Sequence, residues 1–274
     1  MEMVATSQFK KLHDRVLAAR RLSDRMAAMV ADLLRRGGGL RRVRHPLLEA
    51  AARPKRDALV VISSSRGLCG GYNTAVTRVA RERLDQLAEA GFEVLLYASG
   101  RRGADLLRRA GRKPEQVLGD LGSPPEFDLA ADLADNLMQA FLVGEIEGVE
   151  IAYTRFVSSG QQKAAISQVL PLSCLEAGRD LIARPARELV PYEFLPSPAE
   201  VLDKLLPSTV RLRVYQCFLD AALSEHVARM TAMRSATESA DEMIHDLTIR
   251  YNRLRQAQIT TELAEVFGGR DEAG

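Results

Sequence analysis

HVARMTAMRSATESADEMIHDLTIRYNRLRQAQITTELAEVFGG, residues His226 to Gly269, decides the fold. From Ser208 onward the chain has no proline, and no glycine until Gly268. Apolar or small residues recur at Met233, Thr237, Ala240, Ile244, Leu247, Tyr251 and Leu254, in steps of four and three. Such a heptad seam predicts a helix that meets a partner helix along one side. At 1.5 Å per residue it predicts a rod of roughly 80 Å, longer than a small domain needs and suited to a strut, a lever or a shaft.

The other end of the chain offers the partner. Residues 1–36 read as one helix with a seam at Phe9, Leu12, Val16, Ala19, Ser23, Met26, Val30 and Leu33. Small residues on both strands, Ala19 and Ser23 on one and Thr237 and Ala240 on the other, permit close approach. The expectation is a long antiparallel coiled coil of N- and C-terminal helices; an ordinary amphipathic helix on a globular core is the other reading of residues 1–36. Glycines 37–39 stop that helix.

Between the two helices the pattern changes to alternating strand and helix. ALVVISS (Ala58–Ser64) is a short apolar run of the kind found in buried parallel strands. It enters SSRGLCGGYNTAV (Ser64–Val76), a glycine-rich loop before a helix capped by Asn73 or Thr74. A helix over 74–90, a strand over 92–98 and a short helix over 100–111 follow. Ser123–Glu126 and Ser197–Glu200 have the form of capping boxes with proline at the first helical position, predicting helices over 124–143 and 198–206. Residues 149–159 and 164–173 alternate like strands. The predicted class is α/β: a mainly parallel sheet domain, residues 57–190, inserted between helix 1–36 and helix 208–268.

Composition limits the functions available. The chain has 274 residues, 5% aromatics and no Trp, which argues against an all-β sandwich. Its net charge of +2 is uneven: residues 1–56 hold fourteen Lys and Arg against five Asp and Glu. A basic front end suits nucleic acid, anionic lipid or an acidic protein surface, or simply the solvated face of a helix. Cys69, Cys174 and Cys217 form no CxxC pair, which fits a reducing compartment. No apolar run approaches the 18 or so residues of a membrane span, and no signal peptide opens the chain.

Chemistry is sparse. Gly67, Gly70 and Gly71 match neither GxGxxG nor GxxxxGK[ST], and no Lys stands where a phosphate-binding loop needs one. His13, His45, His226 and His245 are scattered without metal spacing. Ser63 to Ser65 lie at a strand end with no implied His partner, and no catalytic motif appears, so neither a catalytic residue, a metal nor a cofactor is expected.

The C-terminal run and the loop RGLCGG followed by Tyr72 and Asn73 resemble the gamma-subunit family of F-type ATP synthases. GRRG (Gly100–Gly103), YTRFVSS (Tyr153–Ser159) and a QVLPL run (Gln168–Leu172) occur in the family's order. The resemblance implies a central rotor shaft, not an enzyme by itself, that couples proton-driven rotation of a membrane c-ring to ATP synthesis or hydrolysis. Implied partners are three alpha and three beta subunits, the epsilon subunit and the c-ring, with one copy of the chain per complex and no nucleic acid. The implied location is peripheral, on the cytoplasmic face of the cell membrane.

The signature loop is Arg66, Gly67, Leu68, Cys69, Gly70, Gly71 and Asn73, structural in the family and without nucleotide. Arg255 and Gln256 match a family pair that contacts an acidic loop on a beta subunit; Thr260, Thr261 and Glu262 extend that candidate contact. A shaft turning in a ring should carry an apolar bearing, here Ile259, Leu263, Val266 and Phe267, with polar side chains on one side. The opening MEMVATSQFKK resembles the middle of the family's first helix, so missing upstream turns are expected. No regulatory cysteine insert occurs in Arg184–Pro198. The rival readings are a coiled-coil scaffold and a nucleotide-binding α/β enzyme with helical arms.

Overall fold

The structure is a computed structural model, which describes residues 2–36, 45–49, 55–119, 124–172 and 197–271. The chain divides into two units, Met1–Met230 and Thr231–Gly274.

In the first unit β1 (Arg56–Ile62) is central. It pairs in parallel with β2 (Glu93–Ser99) and with β4 (Gly148–Ser158). β2 carries the short parallel β3 (Gln116–Leu118), and β5 (Gln161–Leu170) lies antiparallel on β4. The order is β3-β2-β1-β4-β5. β1 is buried on both faces, which is why its sequence is apolar without alternation. β3 has no apolar pattern and was not foreseen: at three residues with exposed Gln116 and Val117, it is too short to show a period.

α2 (Tyr72–Glu89) and α3 (Arg101–Arg109) cover one face of the sheet. Val76, Ala80, Leu84, Ala104 and Leu107 cluster there with Leu59, Val61, Leu96 and Ala152. The opposite face holds Val60, Ile62, Val149, Ile151 and Tyr153 against α4 (Phe127–Val143), α1 (Glu2–Arg36) and the first turns of α5 (Pro198–Asp271). The result is a three-layer arrangement.

α1 follows its expected seam. Leu12, Val16, Ala19, Ser23, Val30 and Leu33 are buried, with Phe9 and Met26 half-buried. Leu12 and Val16 share a cluster with Leu219, Leu223 and Val227, whereas Val30 and Leu33 lie with Leu202, Leu206, Val210 and Val214. The two helices therefore run antiparallel. Within the first unit the segment of α5 that α1 meets is residues 202–227. Within 209–224 every residue is buried or half-buried because the helix meets both α1 and the sheet, and its polar stripe of Thr209, Arg213, Gln216, Asp220 and Ser224 packs inward with the rest, so polarity there does not mark a wet face.

Two helix starts differ from expectation. α4 begins at Phe127, not Pro124, with Glu126 as an extended N-cap; Pro124 precedes Pro125, and a residue before proline is disfavoured in the α region. Ser123 lies outside the described residues. At the other box, Glu200 N–H donates to Ser197 Oγ at 3.3 Å, and the Ser197 hydroxyl meets Glu200 Oε1 at 3.2 Å. The expected stop at Leu206 does not occur, because α5 runs through Pro207. Leu202, Leu206 and Val210 on either side are buried, and that burial outweighs the lost backbone bond, which alone costs about 3 kcal/mol.

Candidate functional site

The glycine loop is a closed structural knot. Asn73 lies in the first turn of α2 rather than capping it, and the N-cap is Gly71. Its side chain reaches back: Oδ1 accepts from Ser64 N–H at 3.0 Å, and Nδ2 donates to Ser64 Oγ at 2.7 Å and to Cys69 Sγ at 3.2 Å. Ser64 Oγ donates to the Arg66 carbonyl at 2.6 Å. The Tyr72 N–H goes to the Cys69 carbonyl, and its phenol donates to the Ala221 carbonyl of α5 at 3.2 Å. These bonds brace the loop against the end of β1, the start of α2 and α5. Leu68, at φ 63° and 73% exposed, is the one outward apolar tip of the loop.

Ser63 and Ser64 are held in structural bonds. Ser63 Oγ donates to the Ser99 carbonyl at 2.7 Å and accepts from Gly103 N–H at 3.1 Å. A Cβ on Gly103 would stand 2.2 Å from that oxygen, and one on Gly100, at φ +90°, 2.2 Å from the Ser63 carbonyl oxygen. The glycines of GRRG are thus required where α3 starts against the end of β1. No spacing rule finds this, because the contact is tertiary.

In the second unit α5 carries its apolar residues into solvent. Met233, Ile244, Leu247, Tyr251 and Leu254 are exposed, Ile244 by 62% and Leu254 by 71%. Successive steps of three and four place them on one stripe. Contiguous exposed apolar surface of this kind marks an interaction site.

The candidate contact residues follow on the same helix, with side chains described through Ala264. At roughly 100° per residue, Arg255, Ile259 and Glu262 share a face, Gln256, Thr260 and Leu263 lie beside it, and Thr261 is turned away. Polar and apolar residues are therefore interleaved, not segregated. Thr260 and Thr261 donate to the Gln256 and Ala257 carbonyls at 2.8 and 3.0 Å, and Gln258 donates to Glu262 at 3.0 Å. Arg255 and Gln256 are exposed, and their side chains make no hydrogen bond or ion pair among the described residues. Val266 and Phe267 lie outside the described side chains. The loop residues and the Arg255 group belong to different units.

The histidines hold no metal-like cluster among the described residues. His13 stacks on Phe9 at 5.7 Å and meets Phe156 edge-on. His45 lies 3.5 Å from Asp203. Burial lowers the pKa of His45 and of His226. Cys69 and Cys217 are free and buried, and burial pushes the Cys217 thiol up to about 12. Cys174, like residues 184–196, lies outside the described residues.

The family model described as ATP synthase matches residues 1–271. The ATP synthase gamma chain of Rhodopirellula baltica is 38% identical over 270 residues, covering 98% of this chain and 90% of that one. The gamma chain of Heliobacterium modesticaldum is 36% identical over 270 residues with the same coverage. Among solved structures, the central stalk and c-ring assembly of Tetrahymena thermophila mitochondrial ATP synthase contains a chain that superposes with a TM-score of 0.62. That chain is 21% identical, and the match covers 86% of this chain and 97% of that one, a likeness of fold. With a family model spanning nearly every residue and relatives above one-third identity along almost their whole length, the chain belongs to the ATP synthase gamma chain family.

Proposed function

We propose that the chain is the rotor shaft of its ATP synthase, one copy standing within a ring of three alpha and three beta subunits. In this reading residues 57–190 form the lower domain, resting on the epsilon subunit and the c-ring, and residues 208–268 form the shaft. Proton-driven rotation of the c-ring turns the shaft, whose unequal faces move each beta site in turn through open, loose and tight states. Two distant sites are then coupled by a rigid element with distinct orientations.

The observation that carries this reading is the continuous helix α5, whose stretch from Met233 to Leu263 exposes apolar side chains beside Arg255 and Gln256, whose side chains have no partner among the described residues. Those apolar side chains suit a bearing. A guanidinium without an internal acid suits a carboxylate on a surrounding subunit, which it can hold through paired charge-assisted bonds. The chain does no bond chemistry itself: its strand-end serines and glycine loop are occupied by structural bonds. Among the described residues no helix is long and apolar enough to cross a membrane, in keeping with a peripheral position on the cytoplasmic face.

The test is to assemble this chain with alpha and beta subunits from the same source and measure ATP hydrolysis and stoichiometry. One copy in an assembly with robust hydrolysis is the expected result. A homodimer that ignores alpha and beta would favour the scaffold reading, and nucleotide binding by the isolated chain would favour the enzyme reading.

A further inference from the structure

Beside the outer strand β5 the first unit has an open cleft of about 420 Å³. Arg83, Glu150, Tyr153, Arg155, Gln168 and Arg213 line it, drawn from α2, β4, β5 and α5. Its volume falls within the range of small-molecule sites.

The charges around this cleft do not balance. Glu150 is held by Arg83 through two bonds of 2.7 Å, Nε to Oε2 and Nη2 to Oε1. Asp57 and Glu147 lie near Glu150 on the Arg83 side. Asp220, the acid nearest the other wall, is taken by Arg20 at 2.7 Å. Two guanidiniums remain. Arg155 is exposed and makes no hydrogen bond or ion pair among the described residues. Arg213 donates from Nη2 to Ser167 Oγ at 2.9 Å, while its Nε is buried without a partner. Both line the same cleft, with Tyr153 and Ser167.

The Arg213 Nε, like Gln216 Oε1 one turn on, is sealed from the cleft, but neither Arg155 nor Arg213 is held by a carboxylate among the described residues, and a guanidinium edge free of acids suits an oxyanion that can take a forked pair of bonds. We propose that this cleft is an oxyanion site, taking a carboxylate or phosphate at Arg155 and Arg213 with the body of the ligand along Ala165 of β5, which shares the Tyr153 face of the sheet. The cleft has room beyond the anion itself, so the oxyanion can be free or carried by a small organic acid, a phosphate ester or an acidic side chain of a partner protein. The site does not depend on the rotor reading.

The test is calorimetric titration of the full chain with three probes: inorganic phosphate, citrate, and the blocked peptide acetyl-Glu-Glu-Glu-amide. At least one should bind, with affinity falling tenfold or more in Arg155→Gln and less in Arg155→Lys. Binding of phosphate or citrate points to a free anion, and binding of the peptide alone to a protein carboxylate. Arg155 is exposed, so its variants should melt with the parent; Arg213→Lys, which keeps charge but loses the fork, is the second variant for the half-buried wall. Binding of none of the three, or binding unchanged in both Arg155→Gln and Arg213→Lys, overturns the proposal.

Discussion

Arg20 of α1 donates from Nη2 to Oδ1 of Asp220 on α5 at 2.7 Å, across 200 positions of sequence. The same nitrogen reaches the Phe156 carbonyl at the end of β4. Asp220 is almost wholly buried, and burial raises its pKa although Arg20 opposes the shift. One guanidinium thus ties the first helix, the last helix and the sheet together.

Removing that cation leaves a buried carboxylate without its partner. Arg20→Met should lower unfolding stability at pH 7 by about 3 kcal/mol, read from urea melts. The raised folded pKa means that the native state holds the Asp220 proton more tightly than the unfolded chain does. Stability from this group is therefore full below about pH 3.8 and lost as pH rises through the folded value. The Arg20→Met deficit should shrink between pH 7 and pH 4; a deficit independent of pH would show that lost packing, not charge, dominates.

Asp57 at the start of β1 is raised from 3.8 to about 6 by burial, then by Glu150 and Glu147, with Arg83 opposing. By the same sign its contribution is full below about pH 4 and lost as pH climbs through 6. Asp57→Asn should therefore stabilise the chain at pH 7 by about 2 kcal/mol and flatten its stability profile between pH 4 and 6. Destabilisation at pH 7 would mean that ionised Asp57 is needed by Arg83.

Gly100 and Gly103 face Ser63 with no room for a methyl group. Gly100→Ala meets both a positive φ and backbone oxygen, and should cost at least about 3 kcal/mol. Gly103→Ala meets a serine side chain and should be partly relieved in the double variant with Ser63→Gly. Thermal melting of the three variants decides whether the Ser63 contact is the cause.

Asn73→Ala removes the acceptor of Ser64 N–H inside the loop and should cost about 2 kcal/mol, measured by urea unfolding. Protease cutting near exposed Leu68 should accelerate in parallel.

Arg255→Ala and Leu247→Ser lie on exposed helix, so each should change stability of the isolated chain by less than about 0.5 kcal/mol. In an assembly with alpha and beta subunits, both should lower ATP hydrolysis severalfold. A variant that lowers chain stability but leaves hydrolysis unchanged would assign the residue to folding.

Much of the fold could be read from local pattern. Leu12, Val16 and Leu33 repeat at heptad spacing because α1 has one wet side, and Leu59 to Ile62 form an unbroken apolar run because β1 has none. The C-terminal stretch 233–254 showed its seam because apolar residues there recur in steps of three and four among mostly polar neighbours. The segment that α1 meets, Leu202 to Val227, lies between two neighbours, and its polar stripe, with Thr209, Asp220 and Ser224 buried, faces protein instead of water, so it cannot be told from a solvated face by sequence. The signature loop was visible as glycines, but Asn73 was read as a cap since a short polar residue near a helix start fits either role.

By itself the sequence determined the helices at both ends, the β1 strand and glycine loop, and the family to which they belong, because these rest on spacing between near neighbours. Tertiary structure alone decided that Arg20 meets Asp220, that Arg83 holds Glu150, that Ser63 forbids a side chain at Gly100 and Gly103, and that Arg155 and Arg213 share a cleft. Each joins residues far apart in the chain, where local periodicity carries no signal and only the packing of three layers brings charge, donor and void together.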